Sequence, residues 1–272
     1  MFTRILVGDD GGAEGLDAVV LGEALATATG AGLTLLQAFA PTFLPSPAGI
    51  DEETSRHAAH ELAADRSHYA PHALTEVVAD FSAARALGRH AHRWHADVVV
   101  IGSSRRAESG RVAIGKVGRG LLERAPYAVA IAKRGLHEQG FQINSVAVGY
   151  DGGAQAQIAL GFADAIAAGA GAELLILTVA HDEQPACAET AARTRVQAHD
   201  GDPGNRLREL SDSVDLMVIG SRRWGPIARL VLGGVGETLA SDCGASLLIS
   251  RRELRHPAHS AAQTTDQIES KP

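Results

Sequence analysis

Aromatic residues are scarce in this chain, at 4% of 272 positions, so any core must be built from Ala, Val, Leu and Ile. Cysteine is scarcer still: Cys187 and Cys243 have no second Cys or His at ligand spacing. That excludes a disulfide framework and a zinc site and points to a reducing compartment. Positive charge is not in excess, since 25 Lys and Arg face 32 Asp and Glu for a formal charge of -7. A dedicated DNA or RNA binder is therefore not expected, although a local anion site is allowed. No apolar run approaches the ~18 residues of a membrane span. Met1 leads straight into Arg4-Ile5-Leu6-Val7, without the apolar stretch of a secretory leader. A soluble, cytoplasmic protein without a membrane partner is the expectation.

What is present is ordinary for a globular protein: 45% hydrophobic and 21% charged residues. The length is roughly twice the ~100 to 150 residues of one domain, and the chain repeats itself accordingly. Ile5-Leu6-Val7-Gly8-Asp9-Asp10-Gly11-Gly12 returns as Val146-Ala147-Val148-Gly149-Tyr150-Asp151-Gly152-Gly153, an offset of 141 between Asp10 and Asp151. The same offset carries Gly30-Ala31 onto Gly171-Ala172. Asp97-Val98-Val99-Val100-Ile101-Gly102-Ser103 returns as Asp215-Leu216-Met217-Val218-Ile219-Gly220-Ser221, now at an offset of 118. The second copy has thus lost residues, most of them between its second and third strands.

Within each copy, short Val, Ile and Leu runs alternate with Ala-rich stretches of helical period, the pattern of βα units around a parallel sheet. The first copy reads as strands at 4–9, 33–39, 75–79, 97–102 and 128–133, with helices at 13–29, 51–69, 82–95 and 115–124. The unbroken apolar runs 98–101 and 216–219 read as central strands covered on both faces. Two tandem open parallel five-stranded sheets flanked by helices are expected. The divisions are a first domain over residues 1–134, a linker over 135–142, a shortened second domain over 143–252 and a disordered tail over 253–272. The second copy is too short between its second and third strands for more than a stub of helix. Each copy ends in an apolar strand, 128–132 and 246–250, whose free edge would be covered by pairing the copies as an internal pseudo-dimer.

Open parallel sheets take ligands at the carboxyl ends of their strands. Two segments of each copy have suitable chemistry there. After the first strand, Asp10-Gly11-Gly12 and Asp151-Gly152-Gly153 make a tight turn whose Asp can accept from a ribose, an amino group or hydrated magnesium, though the same residues serve as plain turn and helix-cap chemistry. After the fourth strand, Gly102 and Gly220 lead into basic loops, and Gly115 and Gly233 follow thirteen residues later to open a helix. That layout suits an anion.

These ordered motifs, found twice, resemble the universal stress protein family, here as two copies over residues 3 to about 252. The resemblance implies strand order 3-2-1-4-5 in an adenine nucleotide alpha hydrolase-like architecture. Nucleotide-binding members carry Gly, two residues, Gly, nine residues, Gly, then Ser or Thr. Here the first and third glycines are kept as Gly102 and Gly115, and as Gly220 and Gly233. The middle one is Arg105 or Arg223, and the hydroxyl position is Lys116 or Gly234. Both copies are degenerate, yet each arginine could donate to a phosphate. The resemblance places Asp10 with Ala38, and Asp151 with Val179, around adenine and ribose. With Gly234 leaving its helix open, the second copy reads as the better site.

The implied function is a non-enzymatic stress-response regulator that takes ATP, with magnesium, or a related anion in one or both halves. The alternatives are an interaction module with vestigial pockets that acts through an unidentified protein partner, and an ATP-hydrolysing enzyme. The last would need a Ser-Gly-Gly-x-Asp-Ser type of loop, and Asp9-Asp10-Gly11-Gly12-Ala13-Glu14 lacks both serines. His57, His60, His90, His92 and His95, without matched carboxylates, read as exposed helix residues, and Arg85, Arg89 and Arg93 as a solvated face. Trp94 reads as core, and Trp224 as a packed residue in the second basic loop. Whether two whole chains associate as a homodimer is not written in the sequence.

Overall fold

The computed structural model describes residues 2–42, 50–123, 126–178, 190–198, 201–221 and 234–250. The expected tail, Cys187, Trp224 and the stretch where the second copy loses its helix lie outside them. The first half runs β1 (Arg4–Gly8), α1 (Ala13–Thr29), β2 (Gly32–Phe39), α2 (Ile50–Tyr69), β3 (Leu74–Ala79), α3 (Ala83–Arg93), β4 (Val98–Gly102), α4 (Lys116–Leu122) and β5 (Ala128–Ala132). A 3-10 turn, Leu136–Glu138, leads into the second half. There β6 (Ser145–Tyr150), α5 (Ala154–Ala170), β7 (Glu173–Thr178), β8 (Arg193–Ala198), α6 (Pro203–Ser211), β9 (Leu216–Gly220), α7 (Gly234–Ser241) and β10 (Ser246–Ser250) follow.

Among the described residues ten strands form one sheet in the order β3-β2-β1-β4-β5-β10-β9-β6-β7-β8. Each half has the 3-2-1-4-5 order with parallel neighbours, as the resemblance implies. The two are joined by an antiparallel pairing that sets Leu247 opposite Ile131, Leu248 opposite Ala130 and Ile249 opposite Val129. The two expected sheets are thus halves of a single one, and neither final strand keeps a free edge.

Both faces of the sheet are covered, which is why the central strands are apolar throughout. Val98 and Val100 point into a core shared with α1, α2 and α5, while Val99 and Ile101 point into one shared with α3, α4, α6 and α7. The first core crosses between the halves: Phe2 stacks on Phe162 with ring centroids 4.8 Å apart. At Gly169 of α5 a Cβ would collide with the Ala28 carbonyl oxygen of α1. The repeated Asp-apolar motif has a structural role in each copy. Asp97 Oδ2 accepts from Thr3 N at 2.7 Å and Arg4 N at 3.2 Å, and Asp215 Oδ2 from Asn144 N at 2.9 Å and Ser145 N at 3.0 Å. Each carboxylate ties the start of the fourth strand to the start of the first.

Two surface readings are corrected by packing. His90 is buried, with Nδ1 2.9 Å from the Ala86 carbonyl oxygen and Nε2 3.1 Å from Glu76 on β3, because the inner face of α3 carries it against the sheet. Arg85 and Arg89 keep half-exposed guanidiniums, yet both reach the buried carboxylate of Asp80, at 2.6 and 3.0 Å. Arg85 holds that carboxyl below its ordinary range. Trp94 is half-buried, edge-on to His90.

Candidate functional site

The turn after β1 is built by two aspartates that accept from the backbone just ahead of them. Asp9 Oδ1 takes the Gly11 N–H at 2.9 Å, and Asp10 Oδ1 takes the Gly12 N–H at 3.1 Å. Gly11 sits at φ +71°, a conformation that disfavours side chains, and the second half repeats it at Gly152, φ +77°. There Asp151 Oδ1 takes the Gly153 N–H at 2.9 Å.

In the first half this turn borders a cavity of about 370 Å³, within the usual range for small-molecule sites. Asp10, Ala38, Gly102, Arg105, Gly115 and Lys116 all line it. Strand order separates its two ends. Toward β2 and α3 the walls are apolar, from Leu36, Ala38, Ala83 and Leu87. Toward the loop after β4 they are polar and cationic, from Ser103, Ser104, Arg105, Arg106 and Lys116. The two motif glycines serve different ends. A Cβ at Gly102 would collide with the backbone of Glu14 in the first turn of α1, so packing alone demands glycine there. A Cβ at Gly115 would meet Ser104 Cβ at an ordinary 3.4 Å, and Gly115 φ is -82°. Packing and backbone conformation would both admit a side chain at Gly115.

Arg105 stands where the resemblance expects a glycine. Its Nη2 lies 3.4 Å from Asp10 Oδ2 and its Nε 3.7 Å from Glu14 Oε2. With a side chain 77% exposed, it is held by weak contacts and can turn toward a ligand. Arg134 reinforces the loop, donating from Nη1 to the Arg105 and Ala107 carbonyls at 3.1 and 2.7 Å.

Sequence reasoning overlooked Asp9. It is buried at the end of β1, and burial first, with Asp65 of α2 and Asp10 adding to it, pushes its carboxyl up to about 7. Asp65 is raised as well, by burial and by Glu61. Asp9 Oδ2 faces no N–H or hydroxyl donor, and the Asp65 side chain beside it is the neighbour with which it interacts. The available signal was an acidic pair at the end of an apolar strand, set against Glu61 and Asp65 four residues apart on one helix face.

Of the second half's expected residues, Gly220 packs on the Gln155 carbonyl oxygen of α5, Asp151 caps its own turn and Gly234 opens α7. Val179, Arg223 and Gly233 lie outside the described residues. Tyr150 replaces Asp9 here and donates to Gln157 Oε1 at 2.8 Å, so the buried acid pair belongs to the first half. Among the described residues no group of three or more His, Cys, Asp or Glu side chains is placed to hold a metal. None of the described helices is long and apolar enough to cross a membrane.

Residues 1–133 match the model of the Universal stress protein family. A universal stress protein from Archaeoglobus fulgidus DSM 4304 is 18% identical, with 92% of this chain and 96% of that chain covered and a TM-score of 0.67. A functionally unknown protein from Pseudomonas aeruginosa PAO1 is 16% identical, with 92% of each chain covered and a TM-score of 0.66. A universal stress protein in complex with cAMP is 22% identical over 49% of this chain and 98% of that chain, with a TM-score of 0.41. No curated protein matches the sequence. The two full-length likenesses speak for the fold, both halves included.

Proposed function

We propose that this chain, which belongs to the universal stress protein family by its first half and repeats that fold in its second, is a stress-response regulator that binds an adenine nucleotide without hydrolysing it. The cavity of the first half carries this reading: one end is apolar and the other presents three cations. A base fits the first end, between Ala38 and Leu87, and phosphates the second, where Arg105, Arg106 and Lys116 supply charged donors. Asp10, with its side chain 57% exposed and only a weak 3.4 Å contact to Arg105, can accept from a ribose or face magnesium once that contact opens.

Magnesium fits this site as a companion of the phosphates. It is ordinarily held by one or two carboxylates together with phosphate oxygens, and Asp10 is one such carboxylate. The ion would screen the phosphate charge from Asp10 and Glu14. The reading without hydrolysis is supported by the turn after β1, Asp9-Asp10-Gly11-Gly12-Ala13-Glu14, which lacks both serines of a Ser-Gly-Gly-x-Asp-Ser loop. The cell compartment consistent with a free, buried Cys243 is the cytoplasm.

A second reading is favoured by one observation. Arg105 already pairs with Asp10 in the cavity, as it would in a pocket that has lost its ligand and serves an interaction module. Melting the full chain with and without Mg-ATP separates the two. At ~100 times its dissociation constant a ligand stabilises by ~2.7 kcal/mol, several degrees in melting temperature. An upward shift lost in Asp10→Ala supports the nucleotide site. A melt unmoved by millimolar Mg-ATP or cAMP leaves the interaction module.

A further inference from the structure

The loop between β4 and α4 brings Arg105 and Arg106 to the cavity, and its course is set only partly by the first half. Ser104 N donates to the Ala113 carbonyl at 2.8 Å, and Ala113 N to Ser103 Oγ at 2.9 Å. The outer limb of the same loop rests on the second half. Val112 N donates to the Cys243 carbonyl and Ile114 N to the Ala240 carbonyl, each at 2.8 Å. Just before them Arg111 Nη1 lies 2.6 Å from Asp212 Oδ1, and its Nε 3.4 Å from Asp242 Oδ1. Asp212 ends α6 and Asp242 follows α7, so both carboxylates sit on helix ends that are fixed in the second half. The fit is close: a Cβ at Gly244 would collide with Asp212 and lie 3.2 Å from Arg111 Nη1.

Arg111 is engaged by Asp212 and Asp242 and is not among the residues lining the cavity. Its ion pairs are partly exposed, at 29% for the arginine and 48% for each partner, and such pairs add little to global stability. Their leverage is on position. Charged donors act on a phosphate only when held within a fraction of an ångström of the productive geometry.

We propose that Arg111 is a positioning residue of the first-half cavity, and that its bridge to Asp212 and Asp242 sets the path of residues 103–115, so that the site of one half is completed by the other. The inference rests on the nucleotide reading of that cavity. It makes the two halves a functional unit, not merely two copies on one sheet, because a change in α6 or α7 is felt at Arg105.

The test uses the full chain as wild type, Arg111→Ala and Asp212→Asn. Without ligand, hydrogen exchange at the Val112 and Ile114 amides is followed. With Mg-ATP, the amide signals of Gly115 and Lys116 report affinity in the first half specifically. In both variants, exchange at the two amides should rise about 3- to 30-fold and affinity at Gly115 should fall by a similar factor, with little change in melting temperature. Arg111→Lys, which keeps the charge, should recover part of both. Should Arg111→Ala fail to fold, Asp212→Asn, which keeps the side-chain size, decides alone. Unchanged exchange overturns the proposal whatever the ligand does. Faster exchange with unchanged affinity overturns it too and leaves the nucleotide reading standing. If the wild type shows no response to Mg-ATP, the nucleotide reading fails, and faster exchange then still supports the second half as the support of the loop.

Discussion

Arg105 Nη2 and Asp10 Oδ2 lie 3.4 Å apart although 95 residues separate them in the chain. The pair joins the loop after β4 to the turn after β1 along one cavity, and a phosphate entering there must compete with the carboxylate for the guanidinium. Arg105→Ala should weaken Mg-ATP about 10-fold or more, the worth of a charge-assisted hydrogen bond, and leave adenosine binding unchanged. Parallel calorimetric titrations check this. Tighter ATP binding in the variant would mean that the arginine closes the pocket.

Asp9 is a buried carboxyl that keeps its proton up to about pH 7, whereas in the unfolded chain it ionises near its ordinary value of 3.8. The folded state therefore binds more protons between these values, and the stability this group contributes below pH 3.8 is lost as pH rises toward 7. Asp9→Asn keeps an acceptor for Gly11 N and gives Asp65 a permanent donor. It should raise stability by on the order of 1 to 3 kcal/mol at pH 8. The gain should vanish near pH 4, as melting curves across this range would reveal.

Gly102 and Gly115 belong to one motif but answer to different forces, which two alanine variants separate. Gly102→Ala drives a methyl into the backbone of α1 and should destabilise by about 1 to 3 kcal/mol, like other overpacked cores. Gly115→Ala should melt within about 0.5 kcal/mol of the wild type, as substitutions away from tight contacts do, while losing affinity for nucleotide. Denaturant unfolding and a binding titration on the same two samples give both readings.

The buried carboxylate of Asp17 on α1 anchors the connection between the halves. Its oxygens accept from Gly135 N and His137 N, each at 2.9 Å, and lie 2.6 Å from His137 Nδ1. Asp17→Ala leaves these donors without their partner in a closed site and should cost about 2 to 4 kcal/mol in urea unfolding.

Strands and the glycine turns were readable because each is written locally, whereas the strand order came from the family resemblance. Val98 to Ile101 is apolar at every position, and Gly11 and Gly152 recur at one offset. The pairing of β5 with β10 followed from two apolar strands that each needed a covered edge. Residues whose partners lie elsewhere in the chain were not readable. His90 looked like one exposed histidine among several until Glu76 on β3 stood against it, and Arg85 looked solvated until Asp80 met it. Asp9 gave its position away only faintly, because its burial depends on α2 closing over it. In the first-half cavity, Asp10, Ala38 and the basic loop were found by motif. The apolar wall from Leu87 and the hold of Asp212 on Arg111 come from tertiary packing alone.

The central claim, that the first-half cavity takes an adenine nucleotide, is tested most directly by isothermal titration of Mg-ATP into the full chain and into Asp10→Ala. The account predicts saturable binding below about 1 mM in the wild type, with one site removed or strongly weakened in the variant. No saturable heat in either protein, or identical binding in both, would contradict it.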